Sequence, residues 1–124
     1  DKYGHMAGDS VIRQVADITV DVVRESDLVT RWGGEEYLVL LGECGLEQAI
    51  MVAENLRKRI EEHDFGLAVP AARITVSLGV AQYHINESEN TFFTRADDAL
   101  YQAKHGGRNL TVPSRLEDPA ELPY

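Results

Sequence analysis

Leu28-Val29-Thr30-Arg31-Trp32 and Tyr37-Leu38-Val39-Leu40-Leu41 are two β-prone runs separated by Gly33-Gly34-Glu35-Glu36. A glycine pair between such runs is a hairpin signal, because glycine reaches the turn conformations that side-chain-bearing residues avoid. The reading is strand, turn, strand. The turn carries two carboxylates, and its glycines let a ligand approach the backbone closely, as phosphate groups require. Adjacent strand residues point to opposite faces, so Glu35 and Glu36 cannot share one task. One can hold a metal while the other faces a reacting hydroxyl. The same four residues are also readable as a solvated hairpin tip with no ligand.

Working outward, Val11, Ile12, Val15, Ile18, Thr19 and Val22 recur at three- and four-residue intervals after Gly8-Asp9, predicting an amphipathic helix that ends near Arg24. Beyond the hairpin, Leu46, Ala49, Ile50, Ala53, Leu56 and Ile60 mark a second helix whose other face carries Glu54, Arg57, Lys58 and Glu61. Residues 63–72 read as a loop. Ile74, Val76, Leu78 and Val80 then alternate with Thr75, Ser77 and Gly79, which predicts a strand over 74–80. Phe93, Ala96, Leu100 and Ala103 form the last helical stripe, closed by Gly106-Gly107, and a short strand is expected over Asn109 to Val112. Residues 113–124 hold three prolines and three acids without periodicity and read as a linker or tail. Helices and hairpin-joined strands without βαβ alternation predict an α+β sandwich, helices packed on a largely antiparallel sheet.

The chain has 124 residues, long enough for one domain with one core. Twelve Lys and Arg against 21 Asp and Glu give a net charge of −9, a field that repels a polyanionic backbone and argues against general nucleic-acid binding. Phosphate ligands remain compatible with that field where a divalent cation and a few placed Lys or Arg offset it locally. Cys44 is the only thiol, so neither an intrachain disulfide nor a cysteine-based zinc cluster forms. No apolar run approaches the roughly 20 residues of a membrane span. The expectation is a soluble, cytoplasmic domain.

Tyr3-Gly4-His5-x-x-Gly8-Asp9, Arg31-x-Gly33-Gly34-Glu35-Glu36-Tyr37, Thr75-x-Ser77-x-Gly79-Val80, Ala96-Asp97-x-Ala99-Leu100-Tyr101-x-Ala103-Lys104 and Gly107-Arg108-Asn109 follow one another in the order and spacing of a known family. In these blocks the chain resembles the GGDEF family of diguanylate cyclase domains, in its GGEEF variant. The resemblance implies a nucleotide-cyclase fold akin to polymerase palms. It implies condensation of two GTP into cyclic di-GMP with release of pyrophosphate, Mg²⁺ or Mn²⁺ as cofactor, and a homodimer in which two domains meet face to face. A sensory domain is expected ahead of it in the full protein. The alternative is a catalytically inactive domain that binds GTP or cyclic di-GMP without turnover.

Carried over by position, Glu35 resembles the metal ligand of the hairpin and Glu36 the acid beside the attacking ribose 3′-hydroxyl. Gly33 and Gly34 would line the triphosphate, and Lys104 and Arg108 would hold its outer phosphates. Asp9 would accept from the guanine edge, although an Asp at that point is equally readable as a helix N-cap. His5 reads as structural. Arg24-Glu25-Ser26-Asp27 matches the Arg-x-x-Asp that relatives with product feedback carry five residues ahead of the glycine pair, so Arg24 and Asp27 are the expected allosteric product site. The second arginine that some relatives add from the following helix has no counterpart among Ile50 to Asn55.

Two departures stand out. Tyr37 replaces the family's usual Phe, a mild change where the hydroxyl finds a partner. The family's first strand, with an Asp that shares the metal and an Asn that reads guanine, would precede Asp1. The expectation is therefore a domain over 1–112 that lacks that strand, active in the complete protein and inactive as these 124 residues alone.

Overall fold

The structure is a computed structural model that describes residues 2–33, 35–67 and 73–115, with side chains from residue 8. Helix α1 spans Lys2–Val22, followed by β1 (Leu28–Gly33), β2 (Glu36–Leu40), α2 (Leu46–Glu62), β3 (Leu78–Val80), α3 (Glu89–His105) and β4 (Thr111–Pro113). The α+β reading holds. β1 and β2 form the expected antiparallel hairpin, whereas β3 and β4 pair in parallel with α3 as their crossover.

α1 begins earlier than its apolar stripe. Periodicity from Val11 onward marks where the helix becomes buried. The turns before it are helical too, and Gly8 and Asp9 are exposed within them. Glycine costs a helix only about 1 kcal/mol relative to Ala, too little to end one by itself. Asp9 is therefore interior to α1, and its reading as an N-cap is corrected.

Val15 and Ile18 of α1 pack with Leu56 and Ile60 of α2 and with Phe65 to form the core. Thr19 is almost fully buried there because its hydroxyl donates to the Val15 carbonyl at 2.8 Å. Ile74, Val76 and Leu78 add their side chains to this core. Only Leu78–Val80 are in a ladder, however, so the strand expected over 74–80 is shorter than predicted. Alternation reports which face is buried, and residues 74–77 satisfy it as extended chain without a hydrogen-bonded strand beside them among the described residues.

α3 starts where Ser88 accepts the Thr91 amide at 3.0 Å, and it ends with Lys104 and His105 in its last turn before Gly106. It lies backbone to backbone on β3. A Cβ placed on Gly79 would stand 2.2 Å from the Ala96 carbonyl oxygen and 2.4 Å from the Leu100 amide nitrogen. The approach to α3 is fixed by Glu87, whose side chain is 3% exposed and takes both the Arg95 guanidinium (2.6 Å to Nε) and the His84 amide (3.0 Å). Arg95 also donates to the Gln82 carbonyl and to the Ser114 hydroxyl, and Arg115 pairs with Glu47 at 2.8 Å. The chain is thus anchored through Arg115, past the boundary drawn at 112. The rest of the expected tail lies outside the described residues.

The hydrogen bond from Arg95 holds the Glu87 carboxyl below the usual glutamate value of 4.5 against the opposing effect of burial. A depressed folded value means that the pair stabilises the fold fully above about pH 4.5 and loses that contribution as pH falls through the folded value. Glu87→Gln is expected to lower the urea midpoint at pH 7, and the gap to wild type should narrow as pH falls below about 4.5 through the folded value. A gap of constant width in urea titrations across that range would refute the pairing.

Candidate active site

The hairpin places the site's acids. Leu28 faces Leu40, Val29 faces Val39, Thr30 faces Leu38 and Arg31 faces Tyr37, after which the register shifts so that Gly33 faces Glu36. Trp32 sits in that bulge, 60% exposed, with its ring edge on Phe93 of α3 at 6.0 Å between centroids. Glu35 follows at the exposed tip and Glu36 opens β2, also exposed. Gly34 lies outside the described residues, as do Asp1 and the side chain of His5. The Tyr37 hydroxyl donates to the Ile12 carbonyl of α1 at 2.9 Å, and burial raises its pKa. The extra polar atom that distinguishes Tyr from Phe here ties the hairpin to α1.

α3 brings the cation. Lys104 Nζ stands 3.4 Å from Glu36 Oε1, both side chains partly exposed (37% and 49%), across 68 residues of sequence. An exposed pair of this kind contributes little to stability. What it does is set a positive and a negative group side by side on open surface, with Glu35 adjoining Glu36 in sequence. Arg108 follows α3, exposed, its amide bonded to the carbonyl of Ala103, the residue before Lys104. Asp9 is exposed on α1. No group of three or more His, Cys, Asp or Glu side chains converges among the described residues. The turn's hard carboxylate oxygens nonetheless suit Mg²⁺, which is commonly held by one or two carboxylates together with substrate phosphates and water.

Arg24 and Asp27 sit at the other end of the hairpin. The Asp27 carboxylate accepts the Gly42 amide at 3.0 Å and the Arg24 amide at 2.9 Å, and it is only 2% exposed. These two backbone donors hold its pKa below the ordinary aspartate value, the Gly42 bond most of all. Arg24 donates to the Gly42 carbonyl and remains 60% exposed, 3.5 Å from Asp27. The pair is therefore more than solvated charge at a helix end: it clasps the start of β1 to the exit of β2. Six residue steps separate the Asp27–Gly42 clasp from the Gly33–Glu36 pairing, about 20 Å at 3.3–3.4 Å per residue.

The family model described as diguanylate cyclase, GGDEF domain, matches residues 1–110. The chain belongs to the GGDEF family. Diguanylate cyclase A of Treponema denticola is 40% identical over 120 residues, 96% of this chain and 32% of the relative. Diguanylate cyclase DgcM of Escherichia coli K12 is 44% identical over 112 residues, 90% of this chain and 27% of the relative. The chain thus spans about a third or less of these curated relatives. Among solved structures, the active GGEEF domain of a diguanylate cyclase from Vibrio cholerae aligns with a TM-score of 0.83 at 31% identity, covering 94% of this chain and 74% of that one. The GGDEF domain of DgcB from Caulobacter crescentus, in complex with c-di-GMP, aligns with a TM-score of 0.83 at 32% identity, covering 92% and 68%.

Two supports of this GGDEF domain were not singled out in the sequence. The Glu87–Arg95 pair was missed because an acid in a polar loop carries no periodic signal. Asn109 was expected to open a strand. It adopts φ 50 instead, after Arg108 at φ 60, with its side chain held by α2. Asn after a glycine stop is among the few residues that tolerate this left-handed region, which is the signal that could have found it.

Proposed function

We propose that this GGDEF domain is the catalytic part of a diguanylate cyclase, joining two GTP into cyclic di-GMP with release of pyrophosphate. The observation that carries the reading is the meeting of Glu36 with Lys104, distant in sequence and adjacent on open surface. Lys104 and Arg108 hold the outer phosphates, Lys as a point charge and Arg as a planar fork. Gly33 leaves room for the triphosphate at the turn, a role that Gly34 shares by its place in the family motif, and Asp9 accepts from the guanine edge. Glu36 withdraws the proton from one ribose 3′-hydroxyl, whose oxygen attacks the α-phosphorus of the GTP on a second copy of the domain. Glu35 would hold Mg²⁺ or Mn²⁺, which would neutralise the triphosphate and the developing charge. Positioning and charge account for the chemistry, so no covalent nucleophile is needed. Incubating the complete protein with GTP and Mg²⁺ and detecting cyclic di-GMP tests the reading. Binding of GTP without product would identify a binding module instead.

We further propose that Arg24 and Asp27 bind the product as a feedback site, with Arg24 as its exposed contact and Asp27 holding the loop that presents it. Arg24→Ala is expected to weaken cyclic di-GMP binding by about 1–3 kcal/mol and to raise steady-state output. Calorimetry that finds wild-type affinity in the variant would refute the site.

A further inference from the structure

Arg108 and Asn109 are consecutive non-glycine residues in the left-handed region, φ 60 and 50, directly after Gly107. Such a pair persists only where its surroundings hold it, and here the hold is on Asn109. The Asn109 amide nitrogen donates to the Ser77 hydroxyl at 3.1 Å. Its side-chain oxygen accepts from Arg57 Nη1 at 3.1 Å, and its side-chain nitrogen donates to Glu61. Arg57 is itself paired with Glu54, which also accepts from the Thr111 hydroxyl at 3.1 Å. One face of α2 thus grips the end of the turn that leads from α3 into β4, at Asn109 and Thr111. Arg108 is fixed from the other side by its amide bond to Ala103. Its backbone has little freedom left, while its side chain stands in solvent.

We infer that Asn109 is a positioning residue for substrate: held by Arg57 and Glu61, it locks the backbone that aims Arg108 at the phosphates. This rests on the reading of Arg108 as a phosphate-holding cation. The Asn109 side chain is taken up by Arg57 and Glu61, and Arg57 by Glu54 and Asn109, so the role assigned to Asn109 is positioning and not contact with substrate.

The test uses the complete cyclase and separates KM from kcat. Asn109→Gly keeps the left-handed backbone accessible and deletes both side-chain bonds, Arg108→Ala deletes the cation, and a third variant carries both changes. KM for GTP should rise about tenfold in Arg108→Ala and about fivefold in Asn109→Gly, with kcat within about twofold of wild type. The double variant should be no worse than Arg108→Ala, since no guanidinium remains to be misaimed. Losses that multiply in the double variant, or an unchanged KM in Asn109→Gly, overturn the inference while leaving the substrate reading intact. An unchanged KM in Arg108→Ala overturns the substrate reading, and the inference with it. A milder pair guards against misfolding. Glu61→Ala should raise KM about twofold to threefold, and Glu61→Gln, whose amide oxygen accepts the same bond, should restore it. A Glu61→Ala enzyme with wild-type KM would overturn the role given to α2.

Discussion

Under the proposed function, Glu35→Gln in the complete protein is expected to lower turnover roughly a thousandfold, the rate equivalent of about 4 kcal/mol. The neutral amide keeps the size and shape of the side chain but is a poor ligand for a hard divalent cation. Because Glu35 is exposed at the hairpin tip, the exchange should leave the fold alone, with a stability change within about 0.5 kcal/mol. Loss of activity with an unchanged melting curve is the expected signature. Turnover within twofold of wild type would remove Glu35 from the catalytic machinery and with it the proposed mode of metal binding.

Gly79→Ala is expected to meet the severest clash of any glycine-to-alanine exchange among the described residues. The added carbon would enter the space of the Ala96 carbonyl oxygen and the Leu100 amide nitrogen, 2.2 and 2.4 Å away, and would also stand 2.9 Å from the Leu100 Cα. These are backbone atoms of α3, so no rotamer change relieves the clash. The helix must move off β3 at a cost of about 3 kcal/mol or more. For a domain of this size the melting temperature should fall by roughly 10 °C. Since Lys104 rides on α3, activity should fall with it. Gly42→Ala is the control, because nothing lies within 4 Å of its Cβ. Equal melting temperatures for the two variants would mean that α3 does not rest on Gly79.

Elements defined by burial were the most legible in the sequence. α2 begins at Leu46 as its stripe predicted, and the glycine pair placed the hairpin turn at 33–36. Elements defined by hydrogen bonding alone were less so: the start of α1 has no apolar stripe, and residues 74–77 have the alternation of a strand without its ladder. At the candidate site, the family blocks named the hairpin acids and the cations of the last helix, and the structure brings Glu36 and Lys104 together. Nothing in those blocks told that Asp27 would be enclosed by the Gly42 and Arg24 amides, since a bond to a backbone donor leaves no mark on the identity of the donor residue.

The distance along the chain between the two halves of the site also orders its assembly in time. Glu36 and Lys104 are 68 residues apart, and Asn109 is 52 from Arg57 and 48 from Glu61. At the usual pace of synthesis, about 5–20 residues per second, the hairpin leaves the ribosome roughly 3–14 s before the cations of α3. Contacts of such long range form late in folding, because the loop between them must close first. Throughout that interval the acids at the hairpin tip lack the Lys104 partner beside them in the finished fold. A ligand that needs both the hairpin and α3 would therefore favour only the completed domain, shifting the balance toward it by mass action.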